Sequence, residues 1–224
     1  MSLFEIHCHT KEVSICGWVN GKEVANIHKK AGFDGICITD HYYKGFFEMH
    51  PGKSDREIVD QYLAGYRSAK KQGDLIGLTV LLGIELRFEE NINDYLVYGI
   101  DEQFLYDNPH VYEMTLSRFV ESIKGTDILL VFAHPFREVI TMMDPALFEA
   151  VESYNGAFRL NSRNHLANQF QKMHNLIGTC GSDFHRVEDI ALASMEFYDD
   201  ISNVKQMINA IRDNRFSHKI KVQE

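Results

Sequence analysis

The chain has 224 residues, of which 45% are apolar and 12% aromatic. This length and composition suffice for one domain with a sizeable core, and a second core is not required. The formal net charge of −9 argues against long nucleic acids and anionic membranes as partners. We therefore expect one domain, over residues 1–224.

Several features bear on the cellular compartment. The first residues lack a basic region followed by an apolar run, so a signal peptide is not predicted. The longest apolar runs, residues 75–84 and 128–133, are too short to cross a bilayer. The cysteines lack zinc-finger spacing, and all but Cys16 lie in or beside predicted strands. We expect a cytoplasmic protein with reduced thiols.

The first predicted element is a short buried strand that runs into His7-Cys8-His9. Side chains alternate along a strand, so His7 and His9 lie on one face and Cys8 points away. Two histidines at a strand end are also common as ordinary polar residues. The pair by itself therefore favours a metal site only modestly.

A helix and a second strand follow this histidine pair. Apolar residues at helical spacing predict a helix from Gly21, and residues 35–39 predict a buried strand that ends in Asp40-His41. A strand, a helix and a strand in so short a segment form a βαβ unit with parallel strands. His9 and His41 are therefore expected at the same end of the sheet.

Later strands also end in polar residues. Residues 42–54 predict a loop, and one helix is expected through Ile58 and Ala69. Strands at residues 78–84 and 128–133 end in Glu85 and His134, and Asp94 precedes a strand at 95–99. The rest of the chain predicts, in order, a short helix near 145–149, a strand at 150–154, a helix at 164–175, a strand at 176–180, a strand at 194–198, a helix near 204–211 and a basic tail strand.

This alternation of strands and helices predicts an α/β fold with a mostly parallel sheet. In parallel barrels the active site lies at the carboxyl ends of the strands. The polar residues expected at that edge are His7, His9, His41, Glu85, His134, Asp183 and His185. So many imidazoles and carboxylates at one edge predict a metal cluster.

The order of these motifs resembles that of the PHP (polymerase and histidinol phosphatase) superfamily. The matching segments are His7-Cys8-His9-Thr10, Thr39-Asp40-His41, Gly83-Ile84-Glu85, Ala133-His134-Pro135 and Gly181-Ser182-Asp183-Phe184-His185. The resemblance implies a distorted (β/α)7 TIM-like barrel that holds two or three divalent ions and hydrolyses phosphoesters. It also implies a first ion held by His7, His9, Glu85 and Asp183, a second held by Glu85 and His134, and a third held in part by His41 and His185.

Two positions depart from the family pattern. Many members have a His or a Ser-Asp-Gly segment shortly after the first motif, where this chain has Cys16. Cys16 either replaces the third-site ligand or marks a weaker or empty site. Members often have a His where this chain has Asp94, which either binds the second ion through oxygen or is a solvated turn residue.

The donor set determines the expected chemistry. Imidazole and carboxylate ligands suit Zn²⁺, Mn²⁺ or Fe²⁺ better than Ca²⁺. Ions about 3.5–4 Å apart share a water molecule as a hydroxide nucleophile and stabilise the phosphoryl charge. We expect Glu85 to bridge the ions, and Asp183, His41 or His185 to protonate the leaving group.

Three arginines are candidate phosphate ligands. Arg137 follows His134 closely, while Arg159 and Arg163 follow the strand at 150–154. A planar guanidinium binds phosphate through paired hydrogen bonds. The alternative is that these arginines are solvated. The expected substrate is a small phosphorylated metabolite or a nucleotide.

Other functions fit parts of this pattern. A histidinol-phosphate phosphatase is a specific version of the first hypothesis. An amidohydrolase-type barrel also begins with a His-x-His strand. A third alternative is a domain that keeps its metals only to bind a ligand.

Overall fold

The computed structural model describes residues 1–221. Its strands are β1 (Ser2–Cys8), β2 (Gly35–Ile38), β3 (His41–Tyr42), β4 (Thr79–Leu86), β5 (Tyr95–Tyr98), β6 (Leu129–Phe132), β7 (Ala150–Asn155), β8 (Ile177–Gly181), β9 (Ala193–Phe197) and β10 (Phe216–Ile220). Its α-helices are α1 (Gly21–Lys30), α2 (Lys44–Glu48), α3 (Asp55–Tyr62), α4 (Ala64–Ile76), α5 (Glu102–Asp107), α6 (Leu116–Ile123), α7 (Asn164–Met173) and α8 (Val204–Arg212).

One sheet organises the fold. Its strands are hydrogen-bonded in the order β10-β9-β1-β2-β4-β5-β6-β7-β8, and β3 pairs separately with β4. The pairs β1–β2, β2–β4, β6–β7 and β7–β8 are parallel, whereas β5 is antiparallel to both β4 and β6. The strands from β1 to β8 therefore present one common edge, at which most of them end and β5 begins.

The sheet closes where the chain leaves β8. Phe184 forms a parallel bridge with Cys8. The amide of His9 donates to Phe184 O at 2.9 Å, and the amide of Phe184 donates to His7 O at 3.0 Å. These bonds join the segment after β8 to β1, so that the strands from β1 to β8 form a nearly closed barrel and β9 and β10 extend the sheet beyond β1. The expected distorted TIM-like barrel is confirmed.

Several local predictions were wrong. The expected loop at residues 42–54 contains β3 and α2, because Phe46 and Phe47 are buried in the core. The expected single helix through Ile58 and Ala69 is divided into α3 and α4 at Leu63. Helix α5 was not predicted, and β4 continues beyond Glu85 to Leu86.

Two structural features concern the cysteines and the helices. Cys8, Cys37 and Cys180 are buried, and all four cysteines are free thiols. Within residues 1–221, none of the helices is both long and apolar enough to span a bilayer. The cytoplasmic location stays a prediction.

Helices α1 and α4 pack closely through glycine. A Cβ atom at Gly21 would lie 2.2 Å from the carbonyl oxygen of Gly65, and a Cβ atom at Gly65 would lie 1.9 Å from Thr10 Oγ1. That hydroxyl donates to Asp40 Oδ2 at 2.6 Å. The contact therefore links helix packing to a loop at the carboxyl edge of the barrel.

We expect Gly65→Ala to lower the free energy of unfolding by about 1–3 kcal/mol, because the added methyl group overpacks this contact. Urea denaturation measures the change. Lys71→Ala, on the exposed side of α4, serves as a control and should change stability by less than about 0.5 kcal/mol. Equal stabilities of the two variants would contradict the packing argument.

Candidate metal centre

Four buried side chains converge at the carboxyl edge of the barrel. His7 lies in β1 and His9 just after it, Glu85 lies in β4, and Asp183 follows β8. His7 Nε2 lies 3.3 Å from Glu85 Oε1 and 3.4 Å from Asp183 Oδ1. His9 Nε2 lies 3.3 Å from Glu85 Oε2 and 3.2 Å from the same Asp183 oxygen. These four residues, predicted from three separate motifs, thus surround one point.

The polar atoms of this cluster are suited to a cation. Among the described residues, His7 Nε2 and His9 Nε2 are buried without a hydrogen-bond partner, and Glu85 Oε2 has only the 2.7 Å approach of His41 Nδ1. Buried polar atoms are rarely left in this state, because each one costs about 1–3 kcal/mol. Two imidazole nitrogens with carboxylate oxygens form a typical donor set for Zn²⁺, Mn²⁺ or Fe²⁺. These residues therefore fit a divalent ion.

His134 and Asp94 form a second group beside Glu85. His134 Nε2 is 3.0 Å from Glu85 Oε1 and 3.8 Å from Asp94 Oδ2. Asp94 precedes the reversed strand β5, and this direction places it at the same edge as the residues that end β4 and β6. Its carboxylate is 5% exposed and accepts two hydrogen bonds of 2.8 Å from Arg87. Asp94 is therefore not a solvated turn residue.

A third group surrounds His9. Its ring centroid lies 4.2 Å from that of His185 and 4.5 Å from that of His41. His41 Nδ1 is 2.7 Å from Glu85 Oε2, and His185 Nε2 is 3.0 Å from the exposed Cys16 Sγ. The structure thus brings Cys16 beside two of the histidines that the resemblance associates with a third ion.

Buried carboxylates that the sequence analysis did not identify support these histidines. Asp40 Oδ1 accepts a hydrogen bond of 2.7 Å from Ser14 Oγ, which lies 3.2 Å from His9 Nδ1. The serine hydroxyl donates its hydrogen bond to Asp40, so its oxygen accepts a hydrogen bond from the Nδ1–H group of His9. This leaves His9 Nε2 free to bind an ion. Glu152 contacts His7 Nδ1 in a similar way, at 2.8 Å.

Glu5 supports the cluster through the backbone of His7 and Ser182. Its Oε1 accepts hydrogen bonds from the amides of His7 at 2.8 Å and Ser182 at 3.1 Å. Burial raises the pKa of Glu5 to about 8, although the hydrogen bonds from Ser182 and His7 oppose this shift. A carboxylate between apolar or buried neighbours of a strand was the sequence signal that could have identified both Glu5 and Glu152.

The charges of the site shift each other's pKa values. Burial alone would raise the pKa of Asp183, but His7 and Arg137 hold it well below its usual range. Burial would also raise the pKa of Glu85, but His41 and His7 hold it well below its usual range. For His7 burial lowers the pKa, yet the surrounding carboxylates raise it well above the usual value. Both acidic residues are therefore ionised and attract cations.

The pKa of the Cys16 thiol is also shifted. Partial desolvation raises it, but hydrogen bonds with His185 and His41 are the stronger influence in sum and lower the pKa to about 6. Because the thiolate is the form that binds metals, this neighbourhood suits a sulfur ligand.

Two residues of the site have strained backbone. The φ angle is 28° at His134 and 53° at Asp183, in the left-handed region that residues other than glycine rarely adopt. Each such residue costs about 1–3 kcal/mol, and they concentrate at functional sites. The hydrogen bond of 2.9 Å from the His134 amide to Glu152 Oε2 helps to hold the first of them.

A cavity of about 430 Å³ opens beside His134 and Asp94, and its lining includes Arg87, Arg137 and Arg159. The wall also contains apolar side chains, among them Ile92 and Leu160. Neither the sequence motifs nor the resemblance had indicated Arg87.

Each arginine of this cavity is held by a carboxylate. Arg137 contacts Asp183 and donates to Asn155 Oδ1 at 2.9 Å. Arg159 pairs with the buried Asp189, whose other carboxylate oxygen accepts a hydrogen bond of 2.9 Å from the backbone amide of His185. Arg163, the third predicted phosphate ligand, does not line the cavity and lies 3.6 Å from Glu138.

The PHP domain family matches residues 5–217. The chain belongs to this family. No curated protein matches the sequence.

Several solved structures share the fold. PsfC from Pseudomonas syringae is 17% identical with a TM-score of 0.68, and the match covers 100% of this chain and 93% of PsfC. A two-domain protein from Bacteroides vulgatus, with a predicted PHP-like metal-dependent phosphoesterase, is 15% identical with a TM-score of 0.68 over 98% of this chain and 64% of that one. An amidohydrolase from Chromobacterium violaceum with bound sulfate is 14% identical with a TM-score of 0.55, and the match covers 93% of this chain and 96% of that one.

These low identities establish a shared fold. Family membership, together with the groups of His, Asp and Glu side chains, supports a metal-dependent hydrolase that binds divalent ions.

We expect divalent ions to stabilise the chelator-treated protein. Zn²⁺ at one hundred times its dissociation constant should raise the free energy of unfolding by about 2.7 kcal/mol. Asp183→Asn should lose most of this increment at the same Zn²⁺ concentration, because a neutral amide is a weaker ligand. Thermal unfolding with and without Zn²⁺ measures both. Asp200→Asn, at an exposed position, is the control, and an undiminished gain in Asp183→Asn would contradict ligation.

Proposed function

We propose that this protein is a metal-dependent phosphoesterase that hydrolyses a small phosphorylated metabolite or a nucleotide. We further propose that the whole chain acts as one catalytic domain. The observation that supports this most strongly is that the buried His7 Nε2 and His9 Nε2 lack a hydrogen-bond partner among the described residues and face the Glu85 carboxylate at 3.3 Å. This cluster adjoins a cavity lined by arginines, and the two features together suit a phosphoester.

The proposed ligands form three overlapping groups around Glu85 and His9. The first is His7, His9, Glu85 and Asp183, the second is Glu85, His134 and Asp94, and the third is His9, His41, His185 and Cys16. Zn²⁺, Mn²⁺ and Fe²⁺ suit these donors. When bound, such ions lower the pKa of water and polarise the oxygens of a phosphoryl group.

Glu85 is the proposed bridging ligand. Its Oε1 faces His7 and His134, whereas its Oε2 faces His9 and His41. One carboxylate thus contacts all three groups. The two oxygens of Asp183 also have different partners: Oδ1 faces His7 and His9, and Oδ2 contacts Arg137. Arg137 therefore orients a ligand of the first ion and also lines the substrate cavity.

The proton for the leaving group has three candidate donors. The pKa of Asp183 is held well below its usual range, so this carboxyl is a poor reservoir for a proton. The pKa values of His41 and His185 are raised, chiefly because Glu85 and Cys16 outweigh the opposing effect of burial. We therefore assign the donor role to His41 or His185, whichever is not engaged by a third ion.

The cavity supports a substrate of limited size. Its volume of about 430 Å³ suits a small molecule, and its wall combines arginines with apolar side chains. A guanidinium binds phosphate oxygens through charge-assisted hydrogen bonds. Histidinol phosphate is one compound within this class.

A substrate panel distinguishes the alternatives. Protein loaded with Zn²⁺, Mn²⁺ or Fe²⁺ is assayed with histidinol phosphate and other phosphomonoesters, 3′,5′-bisphosphonucleotides, dinucleotides and amide substrates. We expect turnover of a phosphoester. Turnover of amides alone would favour an amidohydrolase, and metal binding without any turnover would favour a ligand-binding domain.

We expect Glu85→Ala to reduce turnover to about one-thousandth of wild type or less, because it removes the ligand that the proposed ion positions share. Circular dichroism checks that the fold remains. Glu89→Ala is the control, since Glu89 lies on the surface 2.6 Å from Lys44. Unchanged turnover in Glu85→Ala would rule out the bridging role.

We expect Arg159→Ala to raise KM about tenfold or more with little change in kcat, since a hydrogen bond to a charged group contributes about 1.5–3 kcal/mol. Arg163→Ala should change KM less than about twofold, because Arg163 does not line the cavity. Steady-state kinetics with the preferred substrate measures both. If Arg163→Ala raised KM more than Arg159→Ala, Arg163 would be the substrate contact, as the sequence predicts, and the assignment of the cavity as the substrate site would be contradicted.

A further inference from the structure

Glu152 is a buried carboxylate that contacts two different ligand residues. It is the charged residue of β7 and is 1% exposed. Its Oε1 accepts a hydrogen bond of 2.8 Å from His7 Nδ1. Its Oε2 accepts hydrogen bonds of 2.9 Å from the backbone amide of His134 and from Asn155 Nδ2. Each oxygen therefore serves a different part of the metal centre.

We propose that Glu152 is a positioning residue that couples the first and second ion positions. It does so by selecting the protonated nitrogen of His7 and by holding the backbone of His134. This inference rests on the proposed function only in assuming that His7 and His134 bind divalent ions.

The contact with His7 selects one tautomer. A carboxylate oxygen can only accept, so His7 Nδ1 carries the proton that lies between them. In neutral imidazole the other nitrogen, Nε2, then has a free lone pair. That atom lies 3.3 Å from Glu85 Oε1 and has no hydrogen-bond partner among the described residues. Glu152 thus directs the lone pair of His7 to the first ion position.

The contact with His134 supports strained backbone. His134 has φ of 28°, which costs about 1–3 kcal/mol for a residue other than glycine. Its amide would be a buried donor without a partner if Glu152 were absent. The same residue places Nε2 3.0 Å from Glu85 Oε1. Glu152 thus fixes the point from which the His134 side chain reaches the second ion position.

Glutamine has the right size to replace Glu152 but cannot satisfy both contacts. If its oxygen accepts from His7, its amide group faces two donors, the His134 amide and Asn155 Nδ2. If its oxygen faces His134, its amide group donates to His7 Nδ1, and neutral His7 must then carry its proton on Nε2. Either orientation disrupts one of the two ion positions.

The first test compares Glu152→Gln with wild type and with Glu149→Gln. Glu149 lies next to β7 but at the surface, where it pairs with Arg212 at 2.8 Å. Chelator-treated proteins are titrated with Zn²⁺ in competition with a chromophoric chelator. We expect Glu152→Gln to bind at least one ion about 10–100-fold more weakly, as is typical when a partner of a metal ligand is removed. Glu149→Gln should bind like wild type.

Thermal unfolding of the metal-free proteins separates this role from simple loss of stability. A purely structural role would lower the melting temperature of Glu152→Gln without changing the Zn²⁺ affinity of the folded protein. Unchanged affinity and stoichiometry in Glu152→Gln would overturn the proposal. Because metal binding is measured without substrate, failure of the phosphoesterase assay does not affect this outcome.

A second measurement needs no folded Glu152 variant. In Zn²⁺-loaded wild type, NMR should detect a slowly exchanging proton on Nδ1 of His7, assigned by its absence in His7→Gln. Hydrogen bonding to Glu152 should shift this proton downfield. A proton on Nε2 instead, or a wild-type protein that binds no Zn²⁺, would overturn the proposal.

Discussion

The metal centre depends on the hydrogen bonds that close the barrel between β1 and the segment after β8. The amides of His9 and Phe184 each donate across this seam, at 2.9 and 3.0 Å. The seam fixes His7 and His9 against Asp183 and His185, although these pairs are far apart in the sequence. Glu5 reinforces it by accepting from the amides of both His7 and Ser182. Ligand geometry is thus a direct consequence of sheet closure.

This arrangement concentrates negative charge in the interior. Glu85, Asp183, Glu152 and Asp94 are all buried, and removing carboxylates from water is costly unless they are paired. Arg87 and Arg137 offset part of this cost through Asp94 and Asp183. Divalent cations would offset more of it. Ion binding and the stability of the closed barrel are therefore linked.

Much of the site could be predicted from sequence because parallel strands deliver their terminal residues to one edge. His41, Glu85 and His134 follow this rule, so apolar runs ending in polar residues were sufficient. The burial of Asp94 could not be predicted in this way, because it depends on the reversal of β5. The contrast between Arg159 and Arg163 depends on which loop side chains reach the cavity, and that is decided by tertiary packing with Asp189 and Glu138. Glu152 required knowledge of which strands are neighbours.

The reversed strand β5 also determines which hairpin borders the cavity. Because β5 runs against β4 and β6, the connection at residues 87–94 lies at the same edge as the metal centre, and the connection from β5 to β6 lies at the opposite edge. The first connection supplies Arg87, Ile92 and Asp94 to the cavity. A change in the length or sequence of this hairpin would therefore reshape the cavity wall while the register of the strands is preserved.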